Sequence, residues 1–78
     1  MVEWRESDGQ LQAVCEFSSF SDAWGFVNKL ASLAEAHQHH PDILWQYTRV
    51  VLRLSTHDAN GAITDKDHQL ATAISEIL

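Results

Sequence analysis

Four short stretches of the chain have the residue pattern of strands, and apolar residues recur at spacings of three and four along two longer stretches. Apolar and polar residues alternate in the first and the last of the four, which is typical of strands with one buried face, whereas the longer spacing is typical of amphipathic helices. The strand-like stretches are 2–7, 11–17, 43–47 and 50–56, and the helical stretches are 20–38 and 64–78. Their order predicts an α+β fold, a two-layer sandwich in which two helices pack on one face of a four-stranded antiparallel sheet (ββαββα).

Turn and capping residues mark the boundaries between these elements. Asp8-Gly9 predicts a tight hairpin between the first two strands. Ser19 and Thr64 are each followed three residues later by an aspartate, which predicts a capping box at the start of each helix. The segment 58–61 predicts a turn between the last strand and the second helix.

The first helical stretch predicts one broad apolar stripe that covers the sheet. Its members are Phe20, Ala23, Trp24, Val27, Leu30, Ala31 and Ala34, widened by Phe26 and Leu33. Trp4 alternates in register with Val2, so both side chains should lie on the buried face of the first strand. We expect these aromatic side chains to belong to the core, and the alternative role for Trp4 is the wall of a binding site.

Composition and charge narrow the class of protein. Seventy-eight residues, 45% of them hydrophobic, predict one folded domain over residues 1–78 with a core small enough to favour self-association. A formal net charge of −6 argues against nucleic acid or an anionic membrane as a partner. The single cysteine excludes an internal disulfide framework, and no stretch approaches the roughly 18 apolar residues of a membrane span. Because no signal-peptide pattern opens the sequence, we expect a cytoplasmic protein.

Titratable side chains stand at the ends of three predicted elements. His39 and His40 directly precede Pro41, which disfavours helical backbone at His40 and should end the first helix near this point. His57 follows the fourth strand, and Asp67 opens the second helix on the same face as its apolar stripe. If these groups converge at one end of the sandwich, they supply what general acid–base catalysis needs. The alternative is a polar helix end with solvated histidines.

Two further possibilities concern the partners of these histidines. Glu35 lies four residues before His39, so the two side chains could meet on one helix face and the carboxylate would favour the imidazolium. The alternative for Glu35 is a solvated surface residue. A metal site is a weaker hypothesis, because adjacent histidines point in different directions and no cysteine or paired-histidine helix motif supports them. His68 should lie on the outer side of the second helix.

Taken together, these residues resemble the pterin-4a-carbinolamine dehydratase family over nearly the whole chain. The matching positions are Glu35, His39, His40, Pro41, Tyr47, Ser55, Thr56, His57, Asp58 and Asp67, with Phe20, Ala23, Gly25 and Phe26 in register on the first helix. The sequence departs from the family pattern by lacking the N-terminal helical segment of many members and by one extra residue between His57 and Asp67.

The resemblance implies an enzyme that dehydrates 4a-hydroxytetrahydropterin to quinonoid dihydropterin, which recycles the pterin of aromatic amino acid hydroxylases, with no metal and no cofactor. It implies that the catalytic residues are His39, His40, His57 and Asp67, with His39 and His57 as the acid–base candidates, His40 orienting the pterin and Asp67 polarising or positioning. It implies substrate contacts from Glu35, Trp4, Pro41, Ser55, Thr56 and Asp58. It also implies a homodimer or homotetramer that pairs sheets edge to edge.

The same resemblance leaves a second class of function open. Dehydratase-like folds also serve as a dimerisation cofactor of a transcription factor and as assembly factors of a carbon-fixing enzyme. A protein of that kind needs no intact acid–base set, whereas this sequence keeps the complete set. The enzyme is therefore the favoured hypothesis, with a non-catalytic binding or assembly protein as the alternative and a secondary protein partner compatible with either.

Overall fold

A computed structural model describes residues 2–78 and confirms the predicted α+β sandwich. Its strands are β1 (Arg5–Ser7), β2 (Gln10–Glu16), β3 (Asp42–Gln46) and β4 (Arg49–Leu54), its helices are α1 (Phe20–His37) and α2 (Asp65–Glu76), and a single 3-10 turn spans His57–Ala59. The four strands form one antiparallel sheet in the order β1-β2-β4-β3. Among the residues described, no helix is both long and apolar enough to cross a membrane.

The register of the central strands separates a buried face of the sheet from an open one. Leu11 pairs with Leu54, and Ala13 pairs with Leu52, so their side chains point together toward the helices. The core they form with the helices contains Leu11, Cys15, Ala23, Phe26, Leu30, Val50, Leu52, Leu54, Leu70, Ala71 and Ile74. On the opposite face Val14 and Leu44 are exposed. Both helices therefore cover one face of the sheet, as the sequence predicts.

Two strands are shorter than predicted. β1 begins at Arg5 instead of residue 2, because Trp4 packs against the core outside the ladder and its indole Nε1–H donates to Ser75 Oγ at 3.0 Å. β4 ends at Leu54 instead of residue 56, because the backbone N–H of Thr56 donates to Ala62 O at 2.9 Å and closes a separate loop. The second change sets the position of His57.

The predicted apolar stripe of α1 is too wide. Phe20 and Trp24 are 49% and 54% exposed, and Ala31 is exposed as well. The face that meets the sheet consists of Ala23, Phe26, Leu30 and Ala34. Apolar residues at every third or fourth position cover more than half of this helix, and one sheet can bury only one side of it. The outer apolar side chains instead contact the edge strand, where Trp45 stacks on Phe20 with ring centroids 5.0 Å apart.

Leucines of neighbouring strands test this register. We expect Leu52→Ala to lower the free energy of unfolding by about 2–5 kcal/mol, because Leu52 is fully buried and its truncation leaves a cavity. Leu44→Ala is the matched control, since Leu44 is 52% exposed and should cost less than about 1 kcal/mol. Urea unfolding followed by tryptophan fluorescence measures both, and equal losses would show that the two faces of the sheet are wrongly assigned.

Candidate active site

The end of α1 separates the two adjacent histidines. Gln38 adopts a left-handed backbone with φ of 50°, and its N–H donates to Glu35 O. The N–H of His39 donates to Ala34 O at 3.1 Å, which completes a Schellman-type ending and satisfies carbonyls of the last helical turn. Because the chain leaves the helical path at Gln38, the rings of His39 and His40 find different partners.

His39 binds a buried carboxylate of the other helix. Its Nε2 lies 2.5 Å from Asp67 Oδ1, across 28 positions of sequence. Asp67 is fully buried at the third position of α2, and the His39 side chain is only 12% exposed. The second oxygen, Oδ2, accepts the N–H of Thr64 at 2.9 Å and the hydroxyl of Thr56 at 2.8 Å. Asp67 therefore caps α2 and holds His39 at the same time.

Opposing effects act on the pKa of Asp67. Burial alone would raise the pKa of this carboxyl group, because it disfavours the charged form. The hydrogen bonds from His39, Thr64 and Thr56, together with the charge of His39, outweigh burial and hold the pKa of Asp67 below its ordinary value of 3.8. Asp67 is thus an ionised, fully hydrogen-bonded acceptor at neutral pH.

The predicted contact between Glu35 and His39 is wrong. It required the helix to continue through His39, and α1 ends two residues earlier. Glu35 Oε2 instead lies 3.3 Å from Nε2 of His40, and both side chains are exposed. Each of the adjacent histidines thus has its own carboxylate, a buried one for His39 and an exposed one for His40.

His57 enters the site on a short, tightly bonded loop. The carbonyl of Thr56 accepts the N–H groups of Ala59 and Gly61, and the N–H of Asn60 donates to His57 O. Asn60 and Gly61 have φ of 57° and 79°, so the chain reverses there through left-handed backbone. The imidazole of His57 is exposed and makes no side-chain hydrogen bond within residues 2–78.

A cleft of about 230 Å³ brings most of the predicted site residues together. Its lining consists of Gln38, His39, His40, Ser55, Thr56, His57, Asp58 and Lys66. Gln38 and Lys66 were not among the predicted site residues, although each directly precedes one of them in the sequence. Lys66 is the one lysine in the cleft, and it lies in the first turn of α2, where a cation opposes the helix dipole.

Four predicted residues do not line this cleft. Asp67 is fully buried and reaches the cleft only through its contact with His39. Glu35 reaches it only through its contact with His40, and Pro41 is absent from the lining. Trp4 lies farther away, on Ser75, which follows Asp67 by eight residues or about 12 Å along α2. Trp4 instead borders a separate groove that also contains His68, and the His68 side chain is exposed on α2, as predicted.

The cleft offers proton donors and acceptors on facing elements. The imidazole rings of His39 and His57 each carry nitrogen atoms that can donate or accept a hydrogen bond. Asp67 can orient one of these rings, and Ser55 adds a hydroxyl group. Within residues 2–78, no group of three histidine, cysteine, aspartate or glutamate side chains is arranged to hold a metal ion. Two imidazole rings beside a hydroxyl group, one of them bound to a carboxylate, suit proton transfer to and from a bound molecule.

The lowered pKa of Asp67 predicts a pH-dependent contribution to stability. This contribution is present above the ordinary pKa of 3.8 and is lost as the pH falls through the lower folded-state pKa. We expect Asp67→Asn to cost about 1.5–3 kcal/mol at pH 7, because an amide nitrogen replaces one charged acceptor. The variant should also lose part of the acid-induced drop in the free energy of unfolding.

Asp65→Asn provides the matched control for this experiment, since Asp65 is an exposed aspartate in the same helical turn. Urea unfolding of both variants between pH 3 and pH 7 measures the effect. A pH dependence of Asp67→Asn equal to that of wild type would contradict the ionised, hydrogen-bonded carboxylate.

Sequence comparisons place the chain among named relatives. The profile of the family described as pterin 4 alpha carbinolamine dehydratase matches residues 1–77. A candidate pterin-4-alpha-carbinolamine dehydratase of Acidobacterium capsulatum is 47% identical over 75 residues, which are 96% of this chain and 80% of the relative. A relative of the same name from Picosynechococcus is 44% identical with the same coverage.

Solved structures agree with these relatives. A transcriptional coactivator/pterin dehydratase from Brucella melitensis superposes with a TM-score of 0.88 at 32% identity, covering 95% of this chain and 80% of that one. A pterin dehydratase-like protein described as a RuBisCO assembly factor in the alpha-carboxysome shares the fold, with a TM-score of 0.75 at 20% identity and coverage of 94% and 83%. The profile match and the identity to the named relatives both span nearly the whole chain, and on that evidence it belongs to the pterin 4 alpha carbinolamine dehydratase family.

Proposed function

We propose that this protein dehydrates 4a-hydroxytetrahydropterin to quinonoid dihydropterin and water. The observation that carries the proposal is the cleft in which His39, bonded to the buried Asp67, lies together with His40 and His57. In this reaction the bond from C4a to the hydroxyl oxygen breaks, N5 loses its proton, and the hydroxyl group leaves as water after accepting a proton. One acid and one base are sufficient for these steps, so the reaction needs no cofactor.

We assign the two proton transfers to His39 and His57. One imidazole removes the N5 proton and the other protonates the departing hydroxyl group, and the pair returns to its starting state by exchanging protons with water. Asp67 supports His39 by accepting its Nε2–H and by favouring the charged ring during the transfer. Catalysis of this kind is worth roughly 10²–10⁴-fold, which suits a reaction that also proceeds slowly in water.

We assign binding of the pterin to the remaining polar lining. The pyrimidine ring of a pterin carries an amino group, an N–H and a carbonyl oxygen, and Ser55, Asp58 and Gln38 offer complementary groups. His40, whose ring is tied to Glu35, is proposed to orient this ring system. Trp4 and Pro41 lie outside the cleft, so the proposal gives them no contact with a pterin bound to the same protomer.

We further propose that the reaction serves pterin recycling for aromatic amino acid hydroxylation in the cytoplasm. The single cysteine, Cys15, is a buried free thiol, which suits a reducing compartment. Burial raises the pKa of this thiol to about 11, so it stays protonated and takes no part in the proposed chemistry. A non-catalytic assembly role is the alternative to this proposal. Its support is weaker, because the RuBisCO assembly factor resembles this chain in fold alone.

Histidine substitutions test the proposal. We expect His39→Ala and His57→Ala each to lower kcat by roughly 10²-fold or more, because each removes a positioned acid or base. We expect His40→Ala to act mainly on KM, because its proposed task is orientation. Steady-state dehydration of 4a-hydroxytetrahydropterin by purified variants measures these effects.

His68→Ala is the matched control, since His68 is an exposed histidine outside the cleft. It should change neither kcat nor KM. Circular dichroism should show that all four variants keep the fold, and His39→Ala alone should lower the free energy of unfolding, because it leaves the buried Asp67 Oδ1 without its donor. Wild-type protein that does not accelerate the dehydration would reject the proposed enzyme and favour the assembly role.

We also propose that the protein forms a homodimer or homotetramer. An apolar patch defined by Phe20, Trp24, Ile43 and Trp45 lies along the unpaired edge of β3, and the first three of these are more than 40% exposed. Contiguous apolar surface beside an open strand edge is typical of association sites. Association would also protect β3 from pairing with foreign strands.

Light scattering tests this association. We expect a particle of at least twice 8.8 kDa at micromolar concentration, and we expect Trp24→Ser to shift it toward monomer by removing apolar contact area. Leu78→Ser is the control, because Leu78 is exposed at the chain terminus and away from this patch. A wild-type monomer at these concentrations would contradict the proposal.

A further inference from the structure

Two buried or half-buried threonine hydroxyls continue the hydrogen bonding beyond Asp67. Thr56 Oγ1 lies 2.8 Å from Asp67 Oδ2 and 2.6 Å from Thr64 Oγ1. Thr56 is 6% exposed, so its hydroxyl is not free to bind a substrate in the way the family resemblance implies. The four side chains form a chain that runs from Thr64 through Thr56 and Asp67 to His39, and we call it the threonine relay.

The number of hydrogens fixes the direction of every bond in the threonine relay. An ionised carboxylate only accepts, and a threonine hydroxyl has a single proton to donate. Thr56 must therefore give its proton to Asp67 Oδ2, and Thr64 must give its own to Thr56 Oγ1. With Oδ2 occupied by Thr56 and by the N–H of Thr64, Oδ1 remains for His39 and accepts the proton on Nε2.

We propose that Thr56 and Thr64 are positioning residues that fix the tautomer of His39, with the proton on Nε2 and the reactive lone pair on Nδ1. Nδ1 of His39 has no hydrogen-bond partner within residues 2–78, and the ring lines the cleft. The nitrogen that exchanges protons with the substrate is then Nδ1, while Nε2 keeps its proton throughout. The catalytic consequence rests on the proposed dehydration, whereas the tautomer itself does not.

Both threonine hydroxyls are needed to hold Asp67 in the orientation that fixes the His39 tautomer. Without the Thr64 hydroxyl, Thr56 Oγ1 loses its donor and can rotate its own proton away from Asp67. Asp67 Oδ2 then keeps only the backbone N–H of Thr64, so the carboxylate can turn about its Cβ–Cγ bond, and Oδ1 is no longer held against Nε2 of His39. A wrong tautomer of a catalytic histidine places a proton where the lone pair is required, and this loss can be large in other acid–base enzymes.

Nitrogen NMR of the histidine rings tests the tautomer directly on the folded protein. Long-range ¹H–¹⁵N spectra at neutral pH should show His39 with the proton on Nε2 in wild type. Thr64→Val and Thr56→Val remove one hydroxyl each at nearly constant volume, and we expect a mixture of tautomers in both. Thr64→Ser restores the hydroxyl and should restore the wild-type spectrum.

Thr72→Val is the matched control, because Thr72 lies on α2 but outside the threonine relay, and its hydroxyl donates to the backbone carbonyl of His68. If Thr64→Val fails to fold, Thr64→Gly is the second variant, because glycine stabilises the N-cap position of a helix nearly as well as threonine does. It must show the same mixed tautomers as Thr64→Val.

Kinetics supply the second measurement. We expect Thr64→Val to lower kcat about fivefold to tenfold, the factor that corresponds to one hydrogen bond, with KM unchanged and with rescue by Thr64→Ser. A pure Nε2–H tautomer in both valine variants, or a kcat equal to that of Thr72→Val, would overturn the proposal. If wild type is inert, the enzyme proposal fails, and the NMR spectra still decide the tautomer.

Discussion

The contact between His39 and Asp67 joins the end of α1 to the beginning of α2, and the geometry of the cleft depends on it. Asp67 is fully buried, and a buried carboxylate is stable only if its oxygens are satisfied. Here the imidazole supplies one of the donors, and Thr56 and Thr64 supply the others. His39 thus stabilises the buried carboxylate, and the carboxylate in turn orients the His39 ring. The same hydrogen bonds therefore hold the fold together and set the geometry of the cleft.

This arrangement places each proposed acid–base group at or near the end of a rigid element instead of on a long loop. His39 follows α1, His57 follows β4 by three residues, and Asp67 lies in the first turn of α2. The ends are fixed by backbone bonds, the Schellman-type ending at Gln38 and the bridge from Thr56 to Ala62. Proton transfer requires atoms to be held within hydrogen-bond reach, and short anchored ends meet that requirement in a chain of only 78 residues.

The sequence predicts what depends on local period and turn chemistry. The hairpin at Asp8-Gly9 and the second helix with its buried Asp67 follow from such signals, and six of the eight residues that line the cleft belong to the family motif. Long-range choices could not be predicted in this way. Glu35 was assigned to His39 by helical spacing, but the left-handed backbone at Gln38 redirects both histidines. Likewise, Phe20 and Trp24 fit the apolar stripe predicted for α1, but the position of the sheet leaves both side chains outside the buried core.

Thr56 shows how a buried hydroxyl gains a role that no motif reveals. It belongs to a run of four residues that resembles a substrate-binding segment, and all four border the cleft. Because the backbone stays extended past the end of β4, the Thr56 side chain turns away from Ser55 and His57 and into the interior, where an unbonded hydroxyl would be costly. Asp67 Oδ2 accepts the Thr56 hydroxyl and so removes this cost. Because Thr56 occupies Oδ2, the other oxygen, Oδ1, is left to accept the Nε2 proton of His39. The same alternation that builds the core thereby orients the histidine at the mouth of the cleft.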